Sequence, residues 1–170
     1  MGAFSKINET KVFGGGQYFE AGHYKVKIKD TKIVDSSQSP GKQFVVIETE
    51  VLESDCEKIP PGVDRSQVIP LGEQMSLSNV KAFVAAASGV DPLDDDINVK
   101  VETFWKELVG EAINFEQICD LIFESGQNPL GDEVMDLECT EIITRKEKKP
   151  FTKHNWAPRD VSGGAAEAVA

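Results

Sequence analysis

Residues 22–34 read GHYKVKIKDTKIV, and residues 43–52 read QFVVIETEVL. Apolar side chains alternate with lysines in the first run and with Glu48 and Glu50 in the second. A period of two is typical of a β-strand with one buried face. Residues 36–41 (SSQSPG) have the hydroxyl, proline and glycine side chains of a turn. The sequence therefore predicts a long antiparallel hairpin whose outward lysines lie across from Glu48 and Glu50.

A second hairpin is predicted near the end of the chain. Residues 135–143 alternate apolar and polar side chains, residues 145–150 (RKEKKP) form its tip, and residues 151–156 return as a strand. Because the apolar positions of each strand share one face, we expect the two hairpins to contribute to one core. The residues predicted to be buried together are Tyr24, Val26, Ile28, Val45, Ile47, Met135, Leu137 and Ile143.

The region between the hairpins changes period. From Leu77 onward apolar residues recur at helical spacing until Gly89, and Asn114 with Gln117 has the spacing of a capping box. Helices are therefore expected between the strands. The predicted elements are a short strand at 66–71, a helix at 77–87, a short strand at 97–101, a brief helix at 103–109 and a helix at 114–125.

Composition limits the classes of function. The chain has 170 residues, 40% of them hydrophobic, and a formal net charge of -11. That charge argues against nucleic-acid or membrane binding driven by overall attraction, although a local basic groove stays compatible with it. Three dispersed cysteines suggest free thiols in a reducing compartment, and two histidines make a metal site an unfavourable interpretation. No apolar run has the length of a membrane span or a signal peptide, so we expect a cytoplasmic protein.

No catalytic motif is recognisable. The sequence contains no nucleophile elbow, no phosphate-binding loop and no zinc-protease motif, and we predict a protein that is not an enzyme and uses no cofactor.

One segment of the chain concentrates positive charge. Basic side chains neutralise phosphates and aromatic rings stack on unpaired bases, so this composition indicates binding of single-stranded nucleic acid. The alternative is a solvated hairpin tip whose aromatic residues lie in the core. Phe151 and Lys153 share one strand face, while Thr152, His154 and Trp156 share the other. The segment contains Arg145, Lys146, Lys148, Lys149, Lys153 and Arg159, interleaved with Phe151, His154 and Trp156.

The order of these features resembles that of small phage-encoded single-stranded DNA-binding proteins. Residues 22–28 (GHYKVKI), the Ser/Pro/Gly turn and residues 44–54 (FVVIETEVLES) are similar to their opening hairpin. Residues 78–83 (SNVKAF) are similar to their helix. A closing strand at 133–144 and a lysine-rich turn into residues 150–156 (PFTKHNW) complete the resemblance.

The resemblance implies an OB-like, five-stranded Greek-key barrel, mainly β with inserted helices, within the α+β class. It also implies sequence-tolerant binding of single-stranded DNA in phage DNA replication or recombination, in the host cytoplasm. We expect an N-terminal arm at 1–20, a DNA-binding domain at 21–160 with a helical insertion around 76–125, and a flexible tail at 161–170. The residues expected to contact DNA are Lys25, Lys27, Arg145, Lys146, Lys148, Lys149, Phe151, Lys153 and Trp156.

Two other functions fit the same sequence. A phage structural or assembly module would use its terminal arms to dock on neighbouring molecules. An acidic inhibitor would imitate nucleic acid with its charge of -11. Expected partners besides DNA are phage replication or recombination proteins and a second copy of the chain, with no membrane.

Overall fold

The computed structural model describes residues 18–36, 40–72, 74–143 and 150–161. Five antiparallel strands form one sheet in the order β3-β2-β1-β4-β5, and three helices lie between β3 and β4 in the chain. The protein is therefore mainly β with inserted helices, an α+β architecture, as the sequence predicts. The strands are β1 Gly22–Asp35, β2 Gln43–Ser54, β3 Asp64–Pro70, β4 Val134–Ile143 and β5 Pro150–Trp156, and the helices are α1 Gln74–Ala87, α2 Ile97–Val109 and α3 Phe115–Phe123.

The β1–β2 hairpin forms the centre of the sheet, and its alternation is confirmed. Ile28 and Ile47 have no exposed surface. A register shift between Ile28 and Asp30 inserts an extra residue into β1, so that Ile28 and Thr31 both face inward. The Thr31 hydroxyl donates a hydrogen bond of 2.8 Å to the carbonyl of Ile122. The bulge thus joins the end of α3 to the middle of the sheet.

The predicted core is confirmed at all but one position. Ile143 is 72% exposed, and its placement in the core is wrong. The pairing of β1 with β4 stops at Gly22 and Cys139, while the pairing of β4 with β5 continues to Ile143. Alternation marks a strand face, but a face is buried only where another layer covers it. The remaining predicted core residues, at most 3% exposed, are Tyr24, Val26, Ile28, Val45, Ile47, Met135 and Leu137.

A two-stranded ribbon therefore extends beyond the rest of the sheet. It consists of Thr140–Ile143 in β4 and Pro150–Lys153 in β5, which pair with each other. We call these residues the β4–β5 ribbon.

The helical region differs from its prediction at one segment. Residues 97–101 are the start of helix α2 rather than a strand, and the helix begins well before Thr103. Val101 and Trp105, four residues apart, supply its buried side. Three alternating apolar residues are too few to separate a strand from a helix. Helix α3 has the predicted capping box, in which Asn114 accepts a hydrogen bond from the backbone of Gln117.

The two edge strands of the sheet, β3 and β5, are joined by side chains. Trp156 Nε1 donates a hydrogen bond of 2.8 Å to Gln67 Oε1. Tyr18 forms an isolated parallel bridge with β3, and the ring of Phe19 packs edge-on against His154 of β5 at 6.0 Å. The residues that precede β1 therefore lie between the two edges and contact both.

Candidate nucleic-acid interface

The lysines of β1 lie on the outer face of the sheet, and each has an acidic partner. Lys25 Nζ lies 3.2 Å from a carboxylate oxygen of Glu53, and Lys27 Nζ lies 3.7 Å from one of Glu50. The contact with Glu53 raises the pKa of Lys25. These two predicted DNA contacts therefore carry charge that neighbouring strands already balance. The other pairs on this face are Lys29 with Asp64 at 2.9 Å and Lys32 with Glu48 at 3.0 Å.

An apolar strip crosses the outer face of the first three strands. Phe44 pairs with Val34 of β1 on one side and with Pro70 of β3 on the other. The next outward row pairs Val46 with Val68, which is 36% exposed. We call this set, together with Tyr18, the outer strip: Tyr18, Val34, Phe44, Val46, Val68 and Pro70.

Tyr18 is the most accessible aromatic ring of the outer strip. It bridges to Ser66 of β3 and is 58% exposed. Phe44, two rows away, is half-buried. Apolar side chains grouped on one outer face, with an exposed aromatic ring among them, are a feature of interaction sites. The sequence carried a signal for it, because residues 44–47 (FVVI) are apolar on both faces of the strand.

Phe151 and Lys153 lie together on the outer face of the β4–β5 ribbon, as predicted. Phe151 is 50% exposed and pairs with Ile142, while Lys153 pairs with Thr140. No ion pair joins Lys153 to any acidic residue in the described part of the chain. A cation without a described acidic partner, beside an exposed ring, fits a nucleic-acid contact. The neighbouring predicted contacts, Arg145, Lys146, Lys148 and Lys149, lie outside the described residues.

Trp156 is predicted to contact DNA, but the structure buries it. It is 5% exposed, it packs edge-on against Phe83 at 5.0 Å, and its indole N–H is bonded to Gln67. With 5% of its surface exposed, the ring offers little area for stacking on a base in this conformation. It joins β5 to β3 and to α1.

His154 also faces inward. Its Nε2 is buried without a hydrogen-bond partner among the described residues, and burial lowers the pKa of the imidazole to about 4. The side chain is therefore neutral at physiological pH and contributes no cation to a phosphate site.

Arg159 belongs to the interior rather than to the basic cluster. Its guanidinium donates a hydrogen bond of 2.8 Å to the carbonyl of Ala87 and lies 2.6 Å from a carboxylate oxygen of Glu133. Its backbone N–H bonds to the carbonyl of Ala86. A cation at the carboxyl end of α1 offsets the partial negative charge of that helix end. Arg159 thus fastens the segment after β5 to the helix.

An open groove of about 530 Å³ lies on the outer face where β1, β4 and β5 meet. Glu53, Asp136 and Glu138 contribute carboxylates to it, against Lys25 and His23. His23 Nδ1 lies 3.9 Å from Glu138. We call this the acidic groove, and its excess of carboxylates makes it unsuitable for phosphate groups.

Within residues 18–36, 40–72, 74–143 and 150–161, no group of three or more His, Cys, Asp or Glu side chains is arranged to hold a metal ion. In the same ranges no helix has the length and apolar character needed to span a membrane.

No protein-family model matches the chain, and no curated protein matches it.

Proposed function

We propose that this protein binds single-stranded DNA with little sequence preference, in phage DNA replication or recombination. The observation that carries the proposal is the outer strip, which presents the exposed Tyr18 ring and the half-buried Phe44 on one surface. Every base has a π-face, so stacking on such rings is tolerant of sequence. Unstacked bases are available in single strands and hidden in duplexes, which gives the strand preference.

The arrangement of the strands supports an OB-like barrel as the scaffold for this function. The face of strands β2 and β3 and the β1–β2 and β4–β5 loops hold oligonucleotides in OB-folds. Here the outer strip lies on β1, β2 and β3, and its Phe44–Pro70 row lies beside the β1–β2 loop. The hydrogen bond from Trp156 of β5 to Gln67 of β3 links the two sheet edges, and such a link favours a closed barrel.

The electrostatic contribution comes from a few cations rather than from the whole surface. Because the lysines of β1 form ion pairs with acidic residues, we assign the phosphate contacts to lysines that have no described acidic partner. Lys42, beside Phe44, and Lys153 form no ion pair with a described acid. The basic residues at 145–149 add further positive charge in the sequence. Binding is then expected to weaken as salt rises.

The experiment is fluorescence anisotropy with labelled oligo-dT, duplex DNA and RNA at two salt concentrations. Binding that prefers oligo-dT to duplex and weakens with salt supports the proposal. Absence of binding to all three favours the assembly module, and binding to a DNA-processing enzyme instead favours the acidic inhibitor.

A matched pair of variants tests the outer strip directly. Tyr18→Ala removes the ring, and Tyr18→Phe keeps it while removing the hydroxyl. Loss of one stacking ring costs about 1–3 kcal/mol per base, or about 5- to 150-fold in affinity for oligo-dT. We expect that loss for Tyr18→Ala and nearly unchanged binding for Tyr18→Phe. Equal affinities of both variants and the parent protein would remove Tyr18 from the site.

A further inference from the structure

The β4–β5 ribbon exposes three large apolar side chains. Ile142 is 44% exposed, Ile143 is 72% exposed and Phe151 is 50% exposed. Ile142 and Phe151 are cross-strand partners on the outer face, and β1 does not pair with the ribbon beyond Gly22. Exposed apolar residues on a two-stranded projection with free edges mark a surface that binds another chain.

The outer face of β4 and β5 changes character along its length. At its base Asp136 and Glu138 contribute to the acidic groove. Along β4 the outward positions continue from Glu138 through Thr140 to Ile142, about 13 Å further on at the usual rise of a strand. Lys153 stands opposite Thr140, and Phe151 opposite Ile142. One continuous face thus has an acidic half and a half with exposed apolar side chains and the cation Lys153.

Such a face is complementary to itself. In a two-fold dimer each residue i contacts residue j of the other copy, and j contacts i in return. A two-fold axis near the middle of this face would place each acidic half against the cationic half of the other molecule. Two chains of net charge -11 repel each other overall. A dimer of this protein therefore needs opposite charges matched at its interface.

We propose that two copies of this protein form a closed dimer in which each β4–β5 ribbon docks in the acidic groove of the other. Lys153 faces the carboxylates of the partner's groove, and the ring of Phe151 packs against the apolar atoms of its floor. The proposal does not use the outer strip, which carries the proposed function, but it shares Lys153 and Phe151 with the candidate nucleic-acid contacts.

Sedimentation velocity of the full chain without nucleic acid tests the dimer. We expect a dimer whose dissociation increases with salt, because its charges are solvent-accessible. Lys153→Glu and Glu138→Lys each place like charges across the interface, and each is expected to raise the dimer dissociation constant by about tenfold or more. The double variant restores opposite charges with their positions exchanged, and its dissociation constant is expected to return toward that of the parent protein.

A matched control is Glu107→Lys, which makes the same change of charge at an exposed position of α2. It should leave the dimer unchanged, and circular dichroism of each variant checks that the fold is retained. A parent protein that stays monomeric at all concentrations overturns the proposal. So does a double variant as weak as its single parents, or a mass that keeps growing beyond the dimer. Since no DNA is present, these outcomes are separate from those that test the proposed function.

Discussion

In the β1–β2 hairpin each outward lysine of β1 lies within 3.7 Å of an acidic oxygen, whereas Lys153 of the β4–β5 hairpin has no described acidic partner. Both hairpins alternate apolar and charged side chains in sequence. The acids that pair with the β1 lysines come from β2 of the same hairpin at Glu48, Glu50 and Glu53, and from β3 at Asp64. The second hairpin lies at the edge of the sheet, and its ribbon extends past β1, so its outward side chains meet solvent. The acids on the facing strand therefore decide whether an outward lysine is balanced within the protein.

The two hairpins also differ in the burial of their apolar residues. This difference predicts the largest effect, a change in the free energy of unfolding. Ile47 and Ile143 occupy equivalent alternating positions in the two hairpins, but the first is 0% and the second 72% exposed. We expect Ile47→Ala to lower the free energy of unfolding by about 2–5 kcal/mol. Ile143→Ala is expected to lower it by less than about 0.5 kcal/mol, as surface substitutions do.

Urea unfolding at constant protein concentration measures both changes. Similar losses for the two variants would contradict the difference in burial between the hairpins. Because Ile143 belongs to the ribbon that docks in the proposed dimer, the comparison is best made at a concentration where the protein is monomeric.

The two histidines provide a second contrast, since His23 in β1 is exposed and His154 in β5 is largely buried. Burial lowers the pKa of His154 from 6.5 to about 4 in the folded protein. Below pH 6.5 the unfolded chain therefore binds a proton that the folded protein does not bind until about pH 4. The stability contributed by neutral His154 is complete above pH 6.5 and is lost as the pH falls toward 4.

The expected loss over that interval is about 3 kcal/mol. Carboxylates titrate in the same range, so the measurement is the difference between the parent protein and His154→Phe in the pH dependence of urea unfolding. His23→Gln serves as the exposed control. A variant His154→Phe with the same pH dependence as the parent protein would show that the imidazole does not resist protonation in the folded state.

These contrasts also show how far the sequence predicts the fold. Alternation located the four strands of the two hairpins, because residues i and i+2 share a face whatever the tertiary context. The capping box at Asn114 located α3, because it depends only on local hydrogen bonds. Residues 97–101 were predicted as a strand because their apolar residues alternate, but they begin helix α2. The spacing that indicates the helix is the four residues from Val101 to Trp105, which form its buried side.

The site was harder to predict than the strands, for a physical reason. Trp156 is buried, and its indole N–H is bonded to Gln67, which lies 89 residues away in the chain. Lys25 and Lys27 are balanced by acids of another strand. The contact of Trp156 with Gln67 has no local signature, whereas the alternation of the first hairpin does predict that its lysines face acids of β2. A count of basic and aromatic residues uses neither relation, so it includes side chains that already have partners in the fold. Phe44 and Val46 occupy outward positions of the run at 44–47, where alternation would place polar residues. These two apolar residues were the sequence evidence for the outer strip.

The smallest expected effect is on the salt dependence of DNA binding, and it compares the cations of the two hairpins. Lys148→Ala/Lys149→Ala removes two cations of the basic turn, whereas Lys25→Ala/Lys27→Ala removes two that are paired with Glu53 and Glu50. Each lysine that contacts a phosphate contributes about 0.7 to the slope of log affinity against log salt on single strands. We therefore expect the first variant to flatten the slope by up to about 1.4.

The paired variant removes the same number of charges and is expected to leave that slope nearly unchanged, because lysines held by carboxylates release no counterion from DNA. Salt titrations with labelled oligo-dT measure both slopes, after circular dichroism has shown that each variant is folded. Unchanged affinity and slope in Lys148→Ala/Lys149→Ala would mean that the turn is only solvated. A flattened slope in the paired variant alone would move the phosphate contacts to the outer face of β1, where DNA would have to displace Glu50 and Glu53.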